Sequence, residues 1–157
     1  MRIGSGIDFH RLEEGRDFWL GGIKIPHTKG AVGHSDADVL LHAICDALLG
    51  AVSLGDIGKH FPDTDMAYKN IDSKILLKKT YELVLAKNCK IINIDSTLCL
   101  ESPKINPYVL KMRGVIAGIL DISTEDISIK ATTAERLGFI GREEGVTAYA
   151  TVLLGKK

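Results

Sequence analysis

Hydrophobic and polar positions alternate along this chain with several different periods, and each change of period marks an element. Residues 2–8 read as a short strand ending at Asp8. Asp17 to Ile25 reads as a hairpin, because Gly21-Gly22 tolerates the positive φ of a two-residue turn. His27 to Ser35, interrupted by Gly30 and Gly33, reads as loop. A helix capped by Asp36 or Ser35 then runs to about Val52. It is apolar almost all round, through Val39, Leu40, Leu41, Ala43, Ile44, Ala47, Leu48 and Leu49. One polar stripe interrupts it: Asp38, His42 and Asp46 share a face and need partners or a ligand. Leu54 to Asn70 is a glycine- and aspartate-rich loop with room for one helical turn, and loops of that length are often functional.

A second helix is predicted over about Ser73 to Lys87, with Leu77, Tyr81, Val84 and Leu85 on one side. Lys90 to Leu100 alternates as a strand: Ile92, Ile94, Ser96, Leu98 and Leu100 face one way, Asn93, Asp95 and Thr97 the other. A third helix follows over about Pro107 to Leu120, with proline at an N-terminal position. Ile127 to Ala131 and Val146 to Leu154 are strands, separated by a loop over Thr132 to Glu144 with at most a helical turn. The order predicts an α+β single domain over residues 1–157, a ferredoxin-like variant with three helices on one face of a mixed sheet. The last strand carries small or polar residues at Thr147, Ala148, Ala150 and Thr151. A sheet face without helical cover needs other cover, and self-association supplies it.

Composition narrows the classes. Hydrophobic residues make up 45% and charged residues 25%, ordinary values for a folded domain. Twenty basic and twenty acidic residues cancel, which leaves no overall field for nucleic acid or anionic membrane. No apolar run approaches the roughly 18 residues of a membrane span. Three cysteines with no CxxC pair argue against a disulfide framework, and Cys45 and Cys99 in apolar runs read as core residues. The chain begins Met1-Arg2-Ile3-Gly4 without an apolar targeting stretch, which predicts a cytoplasmic protein, organellar only where a presequence has been removed.

The chemistry concentrates in a few places. Asp8-Phe9-His10 and the stretch from Gly33-His34-Ser35-Asp36 to His42 hold three of the five histidines. Asp8 and His10 are two apart, so on a strand end both point to one side, and His42 adds a third donor from a helix. An Asp and two His are the ligand set of a catalytic zinc, with Asp38 or Asp46 placed to orient His42. A surface His10 and a satisfied core His42 fit the same spacing. Lys130-Ala131-Thr132-Thr133-Ala134-Glu135 leaves a strand with hydroxyls, a lysine and free amides suited to phosphate, and Glu135 suits magnesium or manganese. An ordinary Thr-rich turn with a solvated Glu is the alternative. Gly138-Phe139-Ile140-Gly141-Arg142-Glu143-Glu144-Gly145 surrounds one arginine with glycines, and Arg142 is placed to pair with Glu144.

Taken in order, these pieces resemble the 2-C-methyl-D-erythritol 2,4-cyclodiphosphate synthase family over the whole chain. The motifs are Asp8-Phe9-His10, Gly33-His34-Ser35-Asp36, His42, Gly55-Asp56-Ile57-Gly58, Phe61-Pro62-Asp63-Thr64-Asp65, Lys130-Ala131-Thr132-Thr133 with Glu135, Gly138-Phe139 and Gly141-Arg142. The resemblance implies a homotrimer with sheets around the threefold axis and active sites between neighbouring subunits. It implies an intramolecular phosphoryl transfer in the non-mevalonate isoprenoid pathway. The 2-phosphate of 4-diphosphocytidyl-2-C-methyl-D-erythritol 2-phosphate attacks the β-phosphorus, the cyclic diphosphate closes and cytidine monophosphate leaves.

Carried over by that resemblance, Asp8, His10 and His42 hold zinc, one per subunit. Glu135 holds a magnesium or manganese ion bridged by substrate in each active site. His34 and Ser35 meet the attacking phosphate, and Asp56, Gly58, Phe61, Asp63 and Asp65 form the methylerythritol pocket. Leu100, Ser102, Pro103, Lys104, Ile105 and Ala131 form the cytidine pocket, with Thr132 and Thr133 at the α-phosphate and the base. His34, Asp56, Thr133 and Glu135 form the catalytic set. Phe139 and Arg142 match groups lining an axial cavity that takes an isoprenoid diphosphate in some members. Glu143 departs from the glycine common there, and a carboxylate near the axis opposes diphosphate capture. The nucleophile is already charged, so positioning and electrostatics suffice without a Ser-His-Asp arrangement. A nucleotide-diphosphate metallohydrolase and a non-catalytic prenyl-diphosphate-binding trimer are the competing readings. The first needs a water-activating base, for which Asp38 or Asp46 is the candidate; the second needs Arg142 but neither His10 nor His42.

Overall fold

The computed structural model describes residues 1–157. Seven strands form: β1 (Arg2–Glu14), β2 (Phe18–Leu20), β3 (Ile23–Ile25), β4 (Lys29–Val32), β5 (Cys89–Cys99), β6 (Ile127–Thr132) and β7 (Gly145–Lys156). The helices are α1 (Val39–Ala51), α2 (Ile57–His60), α3 (Ser73–Ala86), α4 (Val109–Leu120) and α5 (Gly138–Gly141). The architecture is mixed α+β. Three long helices stand where the sequence places them, and α2 and α5 add single turns inside the two long loops, making five rather than three.

The main sheet has the order β4-β1-β7-β5-β6, with β2-β3 as a separate hairpin. All its pairs are antiparallel except β5 with β6. Helix α1 lies over β1 and β7, α3 packs against α1 and β5, and α4 against α3 and β6. The core between sheet and helices is apolar and continuous, from Leu40, Leu41, Ile44 and Leu48 of α1 to Val146, Val152 and Leu154 of β7.

Two glycines let α1 settle directly on β1. A Cβ at Gly4 would meet the Ala47 carbonyl oxygen at 2.0 Å, and one at Gly6 the Ala43 carbonyl oxygen at 2.1 Å. The strand's helix-facing side is therefore Gly4, Gly6, Asp8 and His10, two bare positions followed by two polar side chains.

The first strand runs past the predicted end at Asp8 to Glu14. It pairs with β7 up to Arg11↔Gly145 and then with β4 up to Glu14↔Lys29. Strand β4 lies in the segment read as loop. Gly30 hides the strand signal there and is required, because a Cβ would meet the Asp17 carbonyl oxygen at 2.2 Å.

The cap of α1 is Asp38, not Asp36 or Ser35: its carboxylate accepts from the Leu41 N–H at 3.1 Å. The same carboxylate accepts from the Gly21 and Gly22 N–H groups at 3.0 and 2.7 Å, which clasps the β2–β3 hairpin to the helix start. The alternation of β5 is broken by an irregularity between Ile91 and Asn93, so Ile92 is exposed rather than sharing the face of Ile94. Cys45 is buried as expected, but Cys89 is the second buried cysteine and Cys99 is only half-buried.

The sheet face away from the helices carries exposed Ile3, Ile7 and Phe9 on β1, Ile92 on β5 and Tyr149 on β7. They alternate with the polar row Ser5, Thr151 and Asp95, and exposed large apolar side chains on a sheet face without helical cover mark an interaction surface. No helix is long and apolar enough to cross a membrane.

Candidate active site

Asp8 and His10 project from β1 toward α1, and His42 descends from the first turn of that helix onto them. Asp8 Oδ2 lies 2.9 Å from His10 Nε2 and 3.1 Å from His42 Nδ1, and the two ring nitrogens are 3.2 Å apart. Ligand atoms about 2.0–2.1 Å from a tetrahedral zinc stand roughly 3.3 Å from one another. The three donors thus match a zinc ligand set with one position left for substrate, and they form the protein's single cluster of this type. His10 Nδ1 is 2.9 Å from the Val32 carbonyl oxygen, so its N–H donates there and Nε2 keeps its lone pair.

Electrostatics follow from this crowding. Burial raises the Asp8 carboxyl, but hydrogen bonds and charge from His10 and His42 outweigh it and hold the group well below the usual carboxylate range. Burial lowers His10, and the hydrogen bond and charge of Asp8 overcome that to leave it above its ordinary value.

Neither Asp38 nor Asp46 orients His42, contrary to the stripe read from the sequence. Asp38 is consumed by the helix cap and the hairpin. Asp46 Oδ1 accepts from the Ile57 N–H at 2.7 Å and so fixes the start of α2. The second nitrogen of His42 instead meets Ser73 Oγ at 2.8 Å and Ser35 Oγ at 3.2 Å. Ser73 carries no signal in the sequence beyond its place behind the N-cap Asp72 of α3.

A cleft of about 280 Å³ opens beside the three donors. His34, Ser35, Gly58, Phe61 and Asp63 line it as expected, joined by Ile57, Tyr68, Ile71 and Leu76, which carried no sequence signal beyond being apolar in a loop or at a helix start. His34 Nε2 is buried there without a partner, an orphaned polar atom suited to an anionic ligand. Asp56 and Asp65 are not in its lining. Asp56 caps α2 by accepting from the Lys59 N–H, and Asp65 accepts from the Ala67 N–H.

A second cleft, of about 230 Å³, lies at the other edge of the sheet. Leu100, Lys104, Ile105, Ala131, Thr132 and Thr133 line it, with Glu101 and Asn106 in place of the expected Ser102 and Pro103. Glu101 Oε1 accepts from the Ala134 and Arg136 N–H groups at 2.9 and 3.1 Å, pinning the turn in which Glu135 and Arg136 both adopt positive φ, 51 and 63°. Glu135 is exposed and accepts from the Thr133 hydroxyl at 3.2 Å.

One chain does not bring these two clefts together. His10 pairs with Val146, Thr147 with Cys99, and Cys99 with Thr132, so both clefts lie at the same end of the sheet. Strands β7 and β5 intervene, and three strand spacings separate β1 from β6 by about 14 Å. Phe139, on α5, stands 6.1 Å from Phe9 between ring centroids, on the open sheet face. Arg142 forms a two-pronged pair with Glu144 at 3.0 Å on each prong. Glu143 holds φ at 56°, and its carbonyl accepts from Lys29 Nζ at 3.0 Å.

Comparison with known proteins gives one consistent answer. Residues 1–155 match the YgbB family. The chain is 60% identical to the 2-C-methyl-D-erythritol 2,4-cyclodiphosphate synthase of Bacteroides thetaiotaomicron, over 99% of this chain and 98% of that protein. It superposes on the bifunctional IspDF of Campylobacter jejuni with a TM-score of 0.96 and 44% identity, covering 99% of this chain and 42% of that one. A solved 2C-methyl-D-erythritol-2,4-cyclodiphosphate synthase in its CDP-bound form matches with a TM-score of 0.91 at 39% identity, over 98% of this chain and 100% of that one.

Proposed function

This chain belongs to the YgbB family, and from that premise we propose how its residues divide the work of the reaction. The enzyme converts 4-diphosphocytidyl-2-C-methyl-D-erythritol 2-phosphate to 2-C-methyl-D-erythritol 2,4-cyclodiphosphate and cytidine monophosphate, a step of non-mevalonate isoprenoid biosynthesis. It is a phosphorus–oxygen lyase: an oxygen of the 2-phosphate bonds to the β-phosphorus while the bond from that phosphorus to the bridging oxygen of cytidine monophosphate breaks. No water enters and no redox change occurs.

Asp8, His10 and His42 hold zinc, a reading supported by donor spacings of 2.9–3.2 Å. Glu135 holds magnesium or manganese, which a single carboxylate can anchor when substrate phosphates complete the shell. When bound, these cations draw off the charge that two approaching phosphates accumulate. His34 and Ser35 hold the nucleophilic phosphate, supported by the unpartnered His34 Nε2 in the same cleft. Gly58, Phe61 and Asp63 enclose the methylerythritol. Asp56 and Asp65 contribute by shaping that loop. Leu100, Lys104, Ile105, Ala131 and Thr132 seat the cytidine, with Thr133 at the α-phosphate.

The separation of the two clefts is the observation that carries the assembly. A substrate needing both is served by the zinc cleft of one subunit and the nucleotide cleft of its neighbour, in a homotrimer whose apolar sheet faces surround the axis. Phe139 and Arg142 then line the axial cavity, where the Arg142–Glu144 pair and Glu143 leave little free positive charge for an isoprenoid diphosphate.

The test is product analysis. Purified enzyme with zinc and magnesium should release cytidine monophosphate together with the cyclic diphosphate, and His42→Ala should release neither. Cytidine monophosphate with only linear phosphates would indicate a metallohydrolase. Prenyl-diphosphate binding without turnover would indicate a binding protein.

A further inference from the structure

The second nitrogen of His42 is held by a partly buried chain, Ser73 and Asp36, that none of the roles above uses. Ser73 is fully buried at the first position of α3. Its hydroxyl donates to Asp36 Oδ1, and its N–H donates to Asp36 Oδ2 at 3.0 Å. A hydroxyl carries one proton, and here the Asp36 carboxylate takes it. Toward His42, therefore, Ser73 Oγ can only accept. His42 Nε2, 2.8 Å away, must be the donor. An imidazole that donates from Nε2 keeps its lone pair on Nδ1, the atom facing Asp8 and His10.

We propose that Ser73 and Asp36 are positioning residues that fix the tautomer and orientation of His42 and thereby set the affinity of the zinc site. The arrangement is rigid on both sides. Asp36 N–H donates to the Ile71 carbonyl at 3.2 Å and Asn70 N–H to the His34 carbonyl at 2.7 Å, stitching the start of α3 to the loop that carries His34 and Ser35. His10 uses a backbone carbonyl for the same purpose, so His42 is the ligand whose outer partner depends on side chains. Ser35, at 3.2 Å, is a secondary acceptor, and its hydroxyl already accepts from the Ala37 N–H at 3.1 Å.

This inference rests on the zinc assignment, and its test separates the two. Zinc affinity is measured on the full-length metal-free protein by competition with a chromophoric chelator, for wild type, Ser73→Ala, Asp36→Asn and Ser35→Ala. Wild type should bind zinc, and Ser73→Ala and Asp36→Asn should each lose about ten- to a hundredfold in affinity. Ser35→Ala should stay close to wild type in this readout. In the zinc-loaded wild type, the His42 Nε2–H proton should give a resolved NMR signal that exchanges slowly with water, and in Ser73→Ala it should exchange rapidly. Wild-type affinity and slow exchange in Ser73→Ala would overturn the relay, as would an equal loss in Ser35→Ala. A wild type without zinc affinity would instead overturn the metal assignment. If Ser73→Ala does not fold, the wild-type signal decides alone, and rapid exchange there overturns the relay.

Discussion

At the proposed zinc site, protons would compete with the metal for the same atoms of Asp8 and His10, and the two residues take up protons at different pH. Asp8 is held well below the ordinary carboxylate range by its two histidine neighbours, so it stays available down to acid pH. His10 lies above its ordinary 6.5, because the hydrogen bond and charge of Asp8 outweigh its burial. As pH falls through that raised value, His10 keeps its proton and zinc must displace it. Zinc affinity is therefore expected to be flat at alkaline pH and to begin falling above 6.5. A chelator-competition titration checks this, and a flat profile into acid would contradict it. Asp46 has the opposite consequence for stability. Burial raises its folded value above the unfolded 3.8, so its favourable contribution is complete below 3.8 and is lost as pH rises through the folded value. Asp46→Asn keeps an acceptor for the Ile57 N–H and should raise the melting temperature at neutral pH but not near pH 3. Glu101 is tested at the same scale. Glu101→Ala frees two amides of the Glu135 turn and should lower kcat about ten- to a hundredfold through misplacement, while Glu101→Gln, which retains Oε1, should stay near wild type.

At the scale of elements, what matters most is how closely α1 approaches β1. Gly6→Ala would drive a methyl into the Ala43 carbonyl, lift the helix and cost about 1–3 kcal/mol or more. His42 rides on that helix, so zinc affinity should fall with stability, as urea midpoints and metal titration would show. Gly118, on the exposed side of α4, has nothing within 4 Å of its missing Cβ. Gly118→Ala should add about 0.5–1 kcal/mol by lowering the entropy lost in helix formation. The same elements show where sequence patterns fail. The helices of α1, α3 and α4 were legible because each repeats an apolar face over three or more turns. Strand β4 was not, because Gly30 is demanded by the neighbouring Asp17 backbone, a contact distant in sequence. Asp38 looked like a helical residue of the His42 stripe because its true partners, the Gly21 and Gly22 amides, come from another element.

For the whole molecule, the apolar sheet face and the divided clefts make one statement about assembly. Sedimentation should give three times the 17.1 kDa chain mass. Phe9→Asp, on the open face, should yield monomers with native helix content and no turnover, since burying three aspartates at an interface is costly. Two inactive variants test the sharing directly. His42→Ala is expected to fail at the proposed zinc cleft and Glu135→Gln at the turn beside the proposed nucleotide cleft, so mixed trimers should recover part of the activity that neither variant has. A monomeric active enzyme, or mixtures without recovery, would refute a shared site.

Sequence by itself determined the chemistry available to this protein. Asp8, His10 and His42 are recognisable donors, Thr132, Thr133 and Glu135 carry the oxygens proposed for phosphate and cation, and the motif order led to the family. Residue type and short spacing carry that information, because they fix which atoms exist and which side of a strand or helix they share. Tertiary structure alone decided the partners. Asp38 and Asp46 turned out to bind backbone amides, Ser73, itself held by Asp36, took the place expected of them beside His42, Glu101 pinned the Glu135 turn, and the two clefts fell on β1 and β6 with two strands between them. Each of these is a hydrogen bond or a separation between elements remote in sequence, set by how α1, α3 and the sheet pack, and local periodicity holds no record of it.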